Sequence, residues 1–180
     1  MDRSGASARE VELLEAAYRY VLVHGLGDLS LRPLATAIGS SPRVLLYLFG
    51  SKDGLVRALL ARARADEREL LDRSPAGDLG EVAMQVWSWL AAGEHRPLLI
   101  LGVEAYARSL IDPDGPWAGF AHESVTDWLA LLTATRPATG AREPTMVLAV
   151  LRGALLDLLA TGDLERTTAA VRASVSSLSR

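Results

Sequence analysis

Cysteine is absent from this chain of 180 residues. Its absence excludes disulfides and thiolate metal sites and is compatible with a reducing compartment. Alternating β-branched stretches are nearly missing, which argues against a sheet protein. The first ten residues, MDRSGASARE, hold no apolar run of the kind a signal peptide needs. Long hydrophobic runs are also scarce. Residues 98–103 are far too few to cross a bilayer, and the longer stretch 146–160 is interrupted by Arg152 and Asp157. A soluble, cytoplasmic protein without a membrane partner is expected. Catalytic signatures are wanting too. The three histidines, His24, His95 and His122, show no HxxxH or HExxH spacing, and GxSxG, GxxxxGK[ST] and GxGxxG are all missing. Glu123 and Asp127 sit at helical spacing but read as a solvated acidic face. The expectation is a non-enzyme with no metal and no cofactor.

What is present is helix. Hydrophobic residues make up 49 % of the chain, enough for a substantial core. Net charge is −3, but it is unevenly spread: residues 1–64 carry nine Lys/Arg against six Asp/Glu, and residues 65–180 carry ten against sixteen. A basic head on an acidic body results. Ser7 with Glu10 reads as a capping box opening a first helix that His24-Gly25 ends. Ser30 caps a second helix to about Ile38, Gly39 ends it, and Ser41 caps a third with Pro42 at its first position. Ser51 caps a long fourth helix to about Asp72. The cluster SPAGD at 74–78 is a seam. Five further helices are predicted near 79–92, 96–111, 115–135, 142–161 and 163–178. Short loops between them imply a bundle.

Residues 30–55, SLRPLATAIGSSPRVLLYLFGSKDGL, have the layout of a helix-turn-helix DNA reader. Leu34, Ala35 and Ile38 face inward from the second helix; Leu45 and Leu48 or Phe49 do so from the third. Ser41, Pro42, Arg43, Val44, Leu46 and Tyr47 are left for the DNA-facing side. Arg43 can pair bidentately with guanine and Val44 can meet a thymine methyl. Tyr47 and the hydroxyls of Ser30 and Ser41 can bond phosphates. Lys52 stands at a helix start, where amides and dipole also favour phosphate.

This stretch resembles the DNA-binding domain of TetR-family transcriptional regulators. The matching residues are Ala16-Ala17 and His24-Gly25, then Ser30, Arg32, Ala35 and Gly39, then Ser41, Leu45, Phe49, Ser51, Lys52 and Leu55. The match is dense over residues 8–58 and beyond them concerns general layout, including the turn Thr161-Gly162-Asp163. The resemblance implies an all-α protein: an N-terminal three-helix DNA-binding domain over 1–52, a connecting helix 52–72, and a larger ligand-binding and dimerisation bundle within 53–180. It adds Arg32 to the DNA-binding set. The chain departs from the family at Pro42 (usually Lys or Arg), Arg43 (usually Gly), Leu46 (usually aromatic), Gly50 (usually Pro) and Pro33 (usually acidic), so its recognition helix is unusually apolar.

All four tryptophans lie after residue 80. Met84, Trp87, Tyr106, Trp117, His122 and Trp128 are candidates to line a cavity for an apolar or aromatic effector, and they could equally fill a plain core. Glu104 and Arg108 are further possible polar anchors. In the last two helices Leu148, Leu151, Leu155 and Leu158, with Val171, Val175 and Leu178, recur at seam spacing and are the candidate dimer interface. The function so expected is a homodimeric regulator, a repressor that a small molecule releases from a palindromic operator. The alternative is a small-molecule-binding protein of the same fold with weak or no DNA binding; a helical enzyme has no catalytic constellation behind it.

Overall fold

The computed structural model describes residues 3–72, 77–134 and 142–176. Among the described residues there are nine α-helices, one short 3-10 turn and no strand. In chain order the helices are α1 (Arg3–His24), α2 (Leu31–Ala37), α3 (Pro42–Phe49), α4 (Lys52–Asp72), α5 (Leu79–Leu90), α6 (Arg96–Ile111), α7 (Phe120–Ala134), α8 (Arg142–Thr161) and α9 (Leu164–Ser176); the 3-10 turn, Gly93–His95, precedes α6. The all-α architecture is the expected one, with two local corrections. α1 starts at Arg3, so Ser7 lies inside it: residues 3–6 hold no proline, and Gly5 weakens the helix there without stopping it. α7 starts at Phe120 rather than near 115, because residues 115–120 close a turn (Ala118 N–H to Gly115 O, 3.1 Å; Phe120 N–H to Trp117 O, 3.1 Å) pinned by buried Trp117. Residues 74–76 of the expected seam, residue 135 and Leu178 lie outside the described residues.

The chain forms two compact units. The first joins Met1–Arg68 to Ile100–Ala121. Its core is built from one face of α1 (Leu13, Ala17, Val21), the inner sides of α2 and α3 (Leu34, Ala35, Leu45), α4 (Leu55, Leu59, Ala63) and α6 (Leu101, Ala105), all buried. These positions recur every three or four residues, so each helix offers one apolar stripe. The α6–α7 connection is tied back through Ser109, whose Oγ accepts from Ala121 N–H at 3.1 Å and donates to Tyr106 O at 3.0 Å.

The second unit joins Glu69–Leu99 to His122–Arg180. Asp78 and Glu81 form the capping box that starts α5, each side chain accepting from the other's backbone N–H at 3.0 Å. Its core takes Val82, Val86 and Trp87 from α5, Leu132 from α7, Val147, Leu148 and Leu151 from α8, and Val171 and Val175 from α9. The Trp87 indole N–H donates to Thr168 Oγ1 at 2.9 Å, which satisfies the one polar atom of a side chain only 1 % exposed. By length and hydropathy α8 matches a membrane span. Its Val147–Leu148–Leu151 face is nevertheless part of this core, and Arg152 in its middle donates to Ser124 Oγ at 3.3 Å.

Candidate nucleic-acid interface

The segment α2–turn–α3 is held by its backbone. Gly39 takes φ +64°, a conformation that side chains with a Cβ resist. Ser40 N–H donates to Ala35 O at 2.8 Å and Gly39 N–H to Thr36 O at 3.3 Å, the paired bonds of a Schellman ending. α3 then begins at once: Ser41 Oγ accepts from Val44 N–H at 3.3 Å, and Pro42 occupies the first helical position. Buried Leu34 and Ala35 of α2 and Leu45 of α3 fix the angle between the two helices. The opposite side of α3 is open. Arg43, Val44, Leu46 and Tyr47 are all exposed, Tyr47 to 71 %.

Ser30, Arg32, Pro42 and Lys52 come together in one open groove, whose remaining lining is Gly27, Asp28, Leu29, Leu31 and Pro33. Three helix starts border it: Ser30 is the N-cap of α2, Pro42 opens α3 and Lys52 opens α4. Lys52 is the only lysine of the chain. Ser51 Oγ accepts from Gly54 N–H at 2.9 Å and so caps α4 beside it. The Ser30 hydroxyl makes no cap bond and remains exposed. Helix N-termini carry partial positive charge and unpaired amides. With Arg32 and Lys52 they suit the groove for a row of oxyanions such as a nucleic-acid backbone; Asp28 is the one acidic member. Ser41 and the exposed residues of α3 complete the nine predicted DNA-binding positions, all in the first unit.

The predicted effector residues fall in both units. Tyr106 (half-buried) and Trp117 (buried) belong to the first; Met84 (half-buried), Trp87 and Trp128 (buried) and His122 (exposed) belong to the second. Trp87 and Trp128 are members of the second unit's core, and Met84 packs against it. Of the predicted dimer residues, Leu148, Leu151, Leu158, Val171 and Val175 are buried in the same core, and Leu155 packs against it. α8 exposes another side: Met146, Ala149, Gly153, Leu156 and Ala160.

Sequence reasoning missed three features. Glu104 of α6 is bonded to the α1–α2 loop, Leu26 N–H donating to its Oε2 at 3.0 Å. Arg62 of α4 bridges Glu15 (2.5 Å) and Asp66 and lies 4.8 Å above the Tyr18 ring. Bonds to Glu15 and then Asp66 raise the Arg62 pKa further above its ordinary value, against a smaller opposing effect of burial. The third is the exposed row on α8. Only that row had a signal in the sequence, its spacing of three and four.

Residues 13–59 match the model of the family described as bacterial regulatory proteins, tetR family. Among solved structures, the multidrug binding protein EbrR complexed with imidazole is similar over 93 % of this chain and 89 % of its own, at 28 % identity and a TM-score of 0.69. A TetR-family member from Streptomyces coelicolor A3 is similar over 92 % and 97 %, at 28 % identity and 0.68. EbrR complexed with malachite green matches over the same shares, at 28 % identity and 0.61. No curated protein sequence matches the chain significantly. Residues 13–59 thus carry the match to the tetR family of bacterial regulatory proteins, on the helix-turn-helix itself, and the fold of the whole chain is similar to that of a TetR-family member.

Proposed function

We propose that the chain is a homodimeric repressor that binds a palindromic operator and is released by a small apolar or aromatic effector. The observation that carries the proposal is the groove at the head, where three helix starts, Arg32 and Lys52 line one surface, with Arg43 and Tyr47 exposed on α3. In this reading Arg43 pairs with a guanine edge, and Val44 and Leu46 meet thymine methyls. Ser30, Arg32, Ser41, Tyr47 and Lys52 hold phosphates, and Pro42 keeps the start of α3 close to the backbone. Arg43→Ala then weakens operator binding by about 1–3 kcal/mol and relaxes one base preference.

The effector class is supported by a similar solved protein: EbrR was crystallised with imidazole and with malachite green, both aromatic. Met84, Trp87, Tyr106, Trp117, His122 and Trp128 remain the residues to substitute first. Trp87, committed to Thr168, is the least free to turn toward a ligand. We place the dimer contact on the exposed side of α8, where Met146, Ala149, Gly153, Leu156 and Ala160 follow one another at spacings of three, four, three and four, a seam with small residues for close approach. Two copies hold two recognition helices for two half-sites. Release is a coupling free energy: the effector favours a spacing of heads that fits the operator poorly. Such a protein works in the cytoplasm.

Selection from random duplexes at two salt concentrations tests the proposal. An enriched palindrome whose affinity falls steeply with salt is the expected result. No enrichment at low salt, after bound small molecules have been stripped by unfolding and refolding, rejects it. The apolar α3, with Val44 and Leu46 exposed, favours a second reading in that event, a small-molecule-binding protein of the same fold without DNA affinity. It predicts dye binding, for example of malachite green, with no duplex bound.

A further inference from the structure

We propose that Glu104 is the positioning residue of the head groove. It acts by seating the loop that forms one of the groove's walls, and the inference rests on the groove being the DNA surface. The loop is residues 25–29. Gly25 takes φ +76° and ends α1. Its N–H still reaches Val21 O at 2.8 Å, and Leu29 N–H reaches Leu26 O at 3.1 Å. Between them the helix has turned away, so the Leu26 amide has no helical acceptor. Leu26 is 2 % exposed, and an unpaired amide there would carry its full desolvation cost. The Glu104 carboxylate takes it at 3.0 Å.

Two observations make this more than a convenient bond. A carboxylate beside the C-terminal end of a helix works against the helix dipole. The dipole therefore does not explain its place; the bond to the Leu26 amide does, with the Arg108 guanidinium near the carboxylate on the same helix. The loop has also made room for it. A Cβ at Gly27 would run into Glu104 Oε1 and lie 2.8 Å from the Arg108 guanidinium, one turn further along α6. Gly27 and its neighbours Asp28 and Leu29 are in turn groove lining, ahead of Ser30 and Arg32. The chain of contact is thus α6 carboxylate, Leu26 amide, loop wall, first turn of α2. Glu104 touches no DNA in this scheme; it sets where Ser30 and Arg32 stand.

The test uses the full-length protein and the duplex recovered by selection, with binding followed by fluorescence anisotropy across salt. Glu104→Gln keeps an oxygen acceptor and binds within about threefold of the parent, whereas Glu104→Ala loses the bond and binds about tenfold more weakly with a shallower salt dependence. Gly27→Ala, which pushes the carboxylate off its seat, weakens binding too, and the Glu104→Ala/Gly27→Ala double variant is no weaker than the worse single one. The salt slope and the rescue by Gln are readouts that a loss of fold would not reproduce. Unchanged affinity and slope in Glu104→Ala overturns the proposal, and so does a Gln variant as weak as the Ala variant. If the parent binds no duplex, the functional reading fails, and the seating is still decided by hydrogen exchange at the Leu26 amide. Faster exchange in Glu104→Ala but not in Glu104→Gln upholds it, and equal exchange in all three rejects it.

Discussion

At the scale of single residues, two polar side chains in the head differ in how their needs are met. Arg62 is fully employed: its guanidinium bonds Glu15 from α1 and Asp66 on its own helix, Asp66 also accepts from the Tyr18 hydroxyl at 2.8 Å, and the guanidinium lies over the Tyr18 ring. A planar fork fits two carboxylates and a ring at once, which a lysine ammonium cannot do. Arg62 is 28 % exposed, so water screens part of the gain. Arg62→Ala is expected to cost about 1–2 kcal/mol of stability, and Arg62→Lys to recover only part of it, read as midpoints of chemical unfolding. Ser40 is the opposite case. Its Oγ is buried in the turn before α3 with no hydrogen-bond partner among the described residues. Ser40→Ala removes a desolvated hydroxyl and is expected to raise stability by up to about 1 kcal/mol, seen as a higher melting temperature; a lower one would mean that the hydroxyl does bond in solution.

At the scale of elements, caps and turns decide where helices begin, and these were the most legible part of the chain. Ser41 with Pro42, Ser51 before Lys52, and His24-Gly25 are local chemistry, and each stands at the boundary its residue type predicts. Ser41→Ala removes the cap of α3 and is expected to cost about 1 kcal/mol in chemical unfolding, with operator affinity falling alongside. Less legible was the start of α7, where Gly115 and Pro116 read as a helix start but serve a turn anchored by the buried Trp117. The α8–α9 corner adds a pH dependence. The Arg166 fork reaches Asp157 at 2.6 and 2.7 Å and Asp163 at 3.1 Å, and the bond to Arg166 holds the Asp157 carboxyl below its ordinary value. A depressed carboxylate contributes stability above its unfolded pKa and loses it as pH falls through the lower folded one. The corner is therefore expected to loosen only below the usual carboxylate range. Asp157→Asn should abolish that dependence, with the amide signals of α9 as the readout; an unchanged acid titration in the variant would mean that the pair is not populated in solution.

At the scale of the molecule, one kind of information is missing from any local pattern: which stretches return to which. The breaker cluster at 74–78 is visible, but nothing local says that Ile100–Ala121 groups with the first 68 residues. In the sequence Glu104 consequently reads as a possible ligand anchor, whereas the fold gives its carboxylate to the Leu26 amide. The same gap bears on α8. Its apolar residues surround the helix, and spacing alone does not say which side a single chain buries for itself. In the folded chain Leu151 is 1 % exposed and Leu156 is 52 % exposed, one turn and a half apart on the same helix. If the exposed row is the contact between copies, substitutions at these two leucines separate folding from assembly. Leu151→Ala opens a cavity in the second unit and is expected to lower stability by about 2–5 kcal/mol. Leu156→Glu places a charge on the row between copies without entering the core. It is expected to leave the helical circular dichroism spectrum intact while sedimentation velocity shifts from dimer to monomer. Operator affinity should then fall with it, since one head grips only one half-site. A Leu156→Glu protein that still sediments as a dimer would put the contact on another surface, α9 with its exposed Ala169, Ala170 and Ala173 being the next to substitute.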